Sequence, residues 1–260
     1  MEQNEVLLSN IKDKISRCID NFVLTSSDFL DAYEMSYVFK SFSRLDDCIM
    51  IPYGKKDDFE RGMAVFVPSF LDLFSKEDLD KYYKDNVDED PITCIKIKKD
   101  RFSSLTHRDY LGALMGLGIE RKMIGDIDVV IDGAFVFVQK KMAQYICENL
   151  SSVGRGSVIC EIVNDCPYNE NKNIDEMTST VSSLRLDNIV SLCFNLSRTK
   201  AQEAIKSGLV FQNSVQSDKI DRRCVEGDKV VFRSKGKIVI KEIVGKSKKD
   251  RYIIKINRYI

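Results

Sequence analysis

Two groups of residues have types and spacing that invite chemistry. The first lies in RLDNIVSLCFNLSRTKAQEAIKSGLVFQNS, residues 185–214, which carries Arg185, Ser197, Arg198, Lys200 and Lys206, with Lys219, Arg222 and Arg223 soon after. Cations gathered at a helix terminus and its flanking loop suit a phosphate, because the free N–H groups of a first helical turn and nearby positive side chains favour an anion together. Such contacts supply affinity and register rather than base preference. Ser197 stands where an N-cap belongs, and Lys200 occupies the position where a capping box would have Glu or Gln. The second group lies in THRDYLGALMGLGIERKMIGDI, residues 106–127. His107 is the single histidine of the chain; as a general base it would need an orienting partner and a nucleophile, and neither stands out. The glycines at 112, 116 and 118 fall within and at the end of a helix, whereas a dinucleotide fingerprint needs a strand before them and a helix after. Gly112 and Gly116 are expected to let that helix approach a neighbour, and Gly118 to end it at positive φ. His107, Arg108, Arg121 and Lys122 then read as a second contact for RNA or protein.

Metal and redox chemistry find less support. The eight cysteines form no C-x-x-C pair, and with one histidine they make no recognisable zinc ligand set. Set among apolar neighbours, as in SVICEIV and SLCFNL, they read as buried, reduced thiols of a cytoplasmic protein. No metal and no cofactor is expected. The start of the chain is charged and no apolar run approaches 18 residues, so neither secretion nor a membrane span is expected. The zero net charge hides a bipolar chain: residues 181–260 hold 18 Lys and Arg against 8 Asp and Glu, while the rest hold 22 against 32. A basic third suits a polyanion, and the acidic remainder weakens indiscriminate binding.

The elements that would position these residues follow from hydrophobic period and turn chemistry, and they predict an α+β protein of three small domains. Residues 1–75 read as an N-terminal α/β domain: a helix with Leu8, Ile11, Ile15 and Ile19 at helical spacing, a second capped helix, and the strands CIMIPY and MAVFVPSF. The charged SKEDLDKYYKDNVDEDP marks a boundary. Residues 76–165 read in the order βαββαβ, that of a ferredoxin-like plait and of many RNA-binding (RRM-like) sheets, with Asp132-Gly133 as its hairpin signal. NDCPYNENKNIDEMTST is polar, unpatterned and expected to be exposed. Residues 181–260 read as two helices, 185–195 and 198–207, followed by strands near GLVFQNS, GDKVVFRS, GKIVIKEIVG and RYIIKINRYI. Asp187 is expected to be an internal salt-bridge partner or cap.

The pattern Arg-Leu-Asp, Ser-Arg, Ala201, Ile205, Gly208, Val210, Asn213 and Gly227-Asp228 resembles the S4 RNA-binding domain over residues 183–245. The resemblance implies that Arg185, Ser197, Arg198, Lys200, Lys206 and Lys219 grip structured RNA. It departs at Asn213-Ser214, where the family often has Asn-Gly. With HRDYLGALMGLGIERKMIGDI and YGKKDDFERG included, the whole chain resembles the YlmH family of bacterial S4-domain proteins. In the early signature of that family Tyr53, Gly54, Glu60 and Arg61 fit, while Lys55, Lys56 and Gly62 depart. The resemblance implies a cytoplasmic, monomeric, non-enzymatic factor of the 50S ribosomal subunit, contacting 23S rRNA and peptidyl-tRNA. It implies a role in ribosome-associated quality control beside a tail-elongating protein that adds C-terminal alanine. Two alternatives stand. One is an rRNA-modifying enzyme of the pseudouridine synthase or methyltransferase class, against which the late position of the S4 unit counts. The other is an S4-tethered protein-interaction module linked to cell division.

Overall fold

The computed structural model describes residues 2–56, 59–100, 104–163, 174–213, 215–233 and 235–259. Its contacts divide the chain into two compact units, Met1–Tyr168 and Asn169–Ile260. The protein is of mixed α+β class.

The first unit opens with α1 (Glu2–Asn21), β1 (Thr25–Ser26), α2 (Ala32–Ser41), β2 (Cys48–Tyr53) and β3 (Met63–Pro68). The strands form an antiparallel sheet in the order β1-β3-β2. Asp31 caps α2 by accepting from the N–H groups of Tyr33 and Glu34, while the Glu34 carboxylate accepts from the Asp31 N–H, which closes a capping box. Every residue of β3 is buried. Ala64 and Phe66 pack with Ile11, Ile15 and Cys18 of α1, while Met63, Val65 and Val67 turn the other way. Two-sided burial explains why this strand is continuously apolar rather than alternating.

α3 (Lys76–Asp85) leads into β4 (Ile92–Lys99), α4 (His107–Gly116), β5 (Ile124–Val130), β6 (Gly133–Gln139), α5 (Lys140–Asn149), β7 (Ser152–Val153) and β8 (Gly156–Val163). The strand order β5-β6-β4-β8-β7 is antiparallel throughout, which is the plait order with the short β7 added beside β8. Ile95, Ile97, Val136 and Val138 face Tyr110 and Leu114 of α4 and Ala143 and Ile146 of α5. On the opposite face Cys94, Phe135 and Phe137 pack against Phe29, Ile51, Tyr53 and Val65 of the N-terminal layer and against Leu79 and Tyr83 of α3.

Two expectations change here. The charged stretch read as a boundary forms a helix: Ser75 and Asp78 form a capping box, and Leu79 and Tyr83 carry α3 into the shared core while its charges face out. The break expected near residue 75 thus falls within the first unit. Gly112 and Gly116 meet no neighbour, since a Cβ built on either would have nothing within 4 Å. Gly118 does end α4 at φ +83°. The β5–β6 hairpin forms, with Ile131-Asp132 as its two-residue loop. Gly133, at φ +150°, starts the returning strand where a Cβ would lie 1.8 Å from the Ile97 carbonyl oxygen.

The second unit contains β9 (Ile174–Val181), α6 (Leu186–Cys193), α7 (Arg198–Lys206), β10 (Val210–Gln212), β11 (Val215–Gln216), β12 (Lys229–Phe232), β13 (Gly236–Lys246) and β14 (Tyr252–Tyr259). They form one antiparallel sheet, β11-β10-β12-β13-β14-β9. Leu186, Ile189, Val190 and Cys193 of α6 and Ala201, Ala204 and Ile205 of α7 bury against Val230, Ile238, Ile240, Ile254 and Ile256. The polar segment before residue 181 differs from expectation. Ile174–Val181 is a strand that pairs with β14 along all eight residues, and its ladder needs backbone groups rather than apolar side chains. Residues 164–173, Cys166 among them, and Ser214 lie outside the described residues.

Candidate nucleic-acid interface

Asp187, fully buried, organises the N-terminal ends of α6 and α7. Its carboxylate accepts from Arg185 Nε at 3.2 Å, Arg198 Nε at 3.0 Å, Gln202 Nε2 at 2.8 Å and the Asn188 N–H at 3.0 Å. Burial alone would push this carboxyl up, but the bonds from Gln202, Arg198 and Arg185 outweigh it and hold the pKa below the ordinary aspartate value. Asp187 is thus an internal ion-pair partner. The two guanidiniums it holds remain 38% and 54% exposed, oriented yet open to solvent.

The loop before β12 runs antiparallel to this start of α6. Leu186 N–H donates to Arg222 O at 2.8 Å, Asp187 N–H to Ile220 O at 3.1 Å and Cys224 N–H to Leu184 O at 2.7 Å, and Arg185 and Arg223 form a β-bridge. Arg222 and Arg223, both exposed, therefore stand beside the Arg185–Arg198 pair. Lys219 lies in the same loop, where its carbonyl accepts from Arg222 N–H at 3.3 Å. Ser197 caps α7, its hydroxyl accepting from Lys200 N–H at 3.2 Å. Lys200 is exposed at that terminus but turned about 200° around the helix from Arg198. Lys206 sits in the last turn, about 12 Å along the axis from Arg198, where it complements the helix dipole. The structure thus joins Arg185 and Arg198 on one carboxylate and runs the backbone of the Lys219–Arg223 loop alongside them. It separates Lys200 by face and Lys206 by distance.

Two supporting networks were not legible in the sequence. Gln202, one turn after Arg198, completes the Asp187 network. Buried Asp228 accepts from Gln212 Nε2 at 2.6 Å, Asn213 Nδ2 at 2.7 Å and Val225 N–H at 2.8 Å, and Gln212 also reaches Arg223 O at 3.3 Å. Asn213 adopts φ +53°, a left-handed conformation that Asn tolerates, and accepts from Lys229 N–H. Gly227-Asp228 was visible as a motif, but the network around it appears only when β10 and the loop meet.

The four middle candidates do not form a comparable group. His107 and Arg108 are exposed in the first turn of α4, whose N-cap Thr106 shares a capping box with Asp109. Arg121, in a short 3-10 turn, is half-buried, and its guanidinium donates to the carbonyls of Ile124 and Gly125. Burial, with Arg61 nearby, lowers its pKa to about 10. Exposed Lys122 pairs with Glu120 at 3.0 Å. Lys56 is likewise engaged, held by Asp126 at 3.1 Å and Asp128 at 2.8 Å. Asp126 also accepts from the N–H groups of Glu60 and Arg61. The early signature is therefore a loop tied down on β5, with Gly54 and Gly62 closing tightly around Phe59.

The plait face opposite its helices is also occupied. RRM-type sheets stack bases on aromatics of this face, but Phe135 and Phe137 are 9% and 4% exposed beneath the N-terminal layer. Lys96 caps Phe135 at 4.2 Å from its ring and pairs with Asp132 at 2.7 Å.

Comparison with known proteins agrees with the sequence. Residues 86–166 match a family described as "Putative RNA-binding domain in YlmH". The chain is 27% identical over 241 residues to "Ribosome-associated protein quality control protein P2" of Bacillus subtilis (strain 168), covering 92% of this chain and 89% of that protein. A solved structure, "Cell division protein ylmH from Streptococcus pneumoniae", is 16% identical with a TM-score of 0.48, covering 62% of this chain and 91% of that one. The chain thus carries a match to the family's RNA-binding domain at its centre and is similar to a ribosome-associated relative along nearly its whole length.

Proposed function

We propose that the protein is a non-enzymatic RNA-binding factor of the large ribosomal subunit. Its basic unit, of S4 type, grips 23S rRNA and peptidyl-tRNA and supports C-terminal alanine tailing of stalled nascent chains beside a tail-elongating partner, as a cytoplasmic monomer. The observation that carries this reading is the array of Arg185 and Arg198 pinned by one buried carboxylate, with Arg222 and Arg223 alongside. Guanidiniums oriented before the ligand arrives lose little side-chain freedom on meeting phosphate oxygens, and their forked geometry suits bidentate contacts. The 27% identical relative named for ribosome-associated quality control directs the reading to the ribosome. The plait contributes through edges and helix ends such as His107 and Arg108, because its central aromatics lie in the core.

The test is co-sedimentation with purified 30S, 50S and 70S particles across a salt series. Arg222→Glu/Arg223→Glu is the variant of choice, since both side chains are exposed. Selective 50S binding is expected, and the variant should lower the log–log salt slope by about 1.4–1.8, at roughly 0.7–0.9 for each phosphate no longer neutralised. Equal binding to all particles, or an unchanged slope in the folded variant, would overturn the proposal.

A further inference from the structure

The sheet of the second unit neutralises several of its own lysines: Lys241 pairs with Glu176 at 2.6 Å, Lys255 with Glu242 at 2.7 Å and Lys246 with Asp250 at 2.7 Å. The apex of the β13–β14 hairpin is different. Ser247 N–H donates to Arg251 O at 2.8 Å and Asp250 N–H to Ser247 O at 2.9 Å, and Asp250 turns the chain at φ +55°. This closed loop presents Lys248 and Lys249 to solvent, and among the described residues neither takes part in an ion pair. Arg251 is anchored, its Nη2 donating to Thr180 O at 2.9 Å and its Nε to Thr180 Oγ1 at 3.2 Å on β9.

The register places this apex near the arginine array. Tyr252, first in β14, pairs with Val181, last in β9, and Arg185 follows Val181 by four residues. Four residues span at most about 14 Å, and Asn188 shortens the path by donating to Ser182 Oγ at 3.2 Å and Ser183 Oγ at 2.7 Å. The apex and the start of α6 therefore share one end of the sheet.

We infer that Lys248 and Lys249, set by Arg251, form a second phosphate-binding contact for the RNA that docks on Arg185, Arg198, Arg222 and Arg223. The inference rests on the proposed RNA-binding function and extends it to a track across one end of the sheet. Cations at two separated points fix the direction of a backbone, which a single cluster cannot do.

The full-length protein and its Lys248→Glu/Lys249→Glu variant are compared for binding to purified 50S subunits and to protein-free 23S rRNA over a salt series, with the Arg222→Glu/Arg223→Glu variant alongside. The expected result is weaker binding to both probes, at least tenfold at low salt, and a salt slope lower by about 1.4–1.8 with an unchanged circular dichroism spectrum. Unchanged binding, while the Arg222/Arg223 variant is impaired, would overturn the second contact alone. Loss on subunits with binding to free rRNA intact would assign the apex to a ribosomal protein and overturn it too. Failure of the wild-type protein to bind either probe would remove the functional reading and this inference together.

Discussion

Asp187 shows what one residue does when a fold takes it out of water. A buried carboxylate is costly unless paired and hydrogen-bonded, and here Arg185, Arg198, Gln202 and a backbone N–H meet it. Replacing it by Asn removes the charge and leaves two arginines loose, so Asp187→Asn should destabilise the second unit by about 1–3 kcal/mol at neutral pH. The pKa of Asp187 is held below its ordinary value, so the stabilisation is present above the unfolded value of about 3.9 and is lost as pH falls through the lower folded one. Denaturation of the variant and the wild type from pH 7 to pH 3 should show the gap closing in acid. Ser197→Ala, which removes the cap of α7, should cost about 1 kcal/mol in the same assay.

At the scale of elements, the loop from Gly54 to Gly62 is held to β5 by Lys56 and Asp126. Burial works to lower the Lys56 pKa, but the carboxylates of Asp126 and Asp128 prevail and raise it. Its contribution is therefore full at neutral pH and is lost only as pH rises beyond the ordinary lysine range. Lys56→Met, which strands a buried carboxylate, should cost about 3–5 kcal/mol in urea denaturation. Gly133 works by lacking a side chain: at φ +150°, against the Ile97 carbonyl, Gly133→Ala should cost about 1–3 kcal/mol and open the β5–β6 hairpin to hydrogen exchange. β9 acts as an edge strand that covers β14. A fragment beginning at residue 181 should accordingly be less stable than one beginning at 169 and more prone to self-association through the bared edge.

At the scale of the molecule, the N-terminal layer and the plait share a core that holds Phe29, Tyr53, Leu79, Tyr83 and Phe137. Phe137→Ala should cost about 3–5 kcal/mol, and probes placed in the N-terminal layer and in the plait should lose structure at one urea concentration. Much of this was legible beforehand. Local patterns carry the helices of Ile11 and Ile15 or of Ile189 and Ala201, the order βαββαβ, the cap at Ser197 and the pairing role of Asp187, because period, capping and charge are properties of neighbouring residues. The charged α3 and the polar β9 were misread for a single reason: each is stabilised by a distant partner, two buried side chains in one case and a backbone ladder in the other. The same distinction runs through the interface. The sequence by itself determined that the C-terminal third is basic and which cations it has to offer. Tertiary structure alone decided that one carboxylate holds both Arg185 and Arg198, that the backbone of Arg222 and Arg223 runs beside the start of α6, and that Phe135 and Phe137 lie in the core, because pairing and burial depend on contacts between residues far apart in the chain.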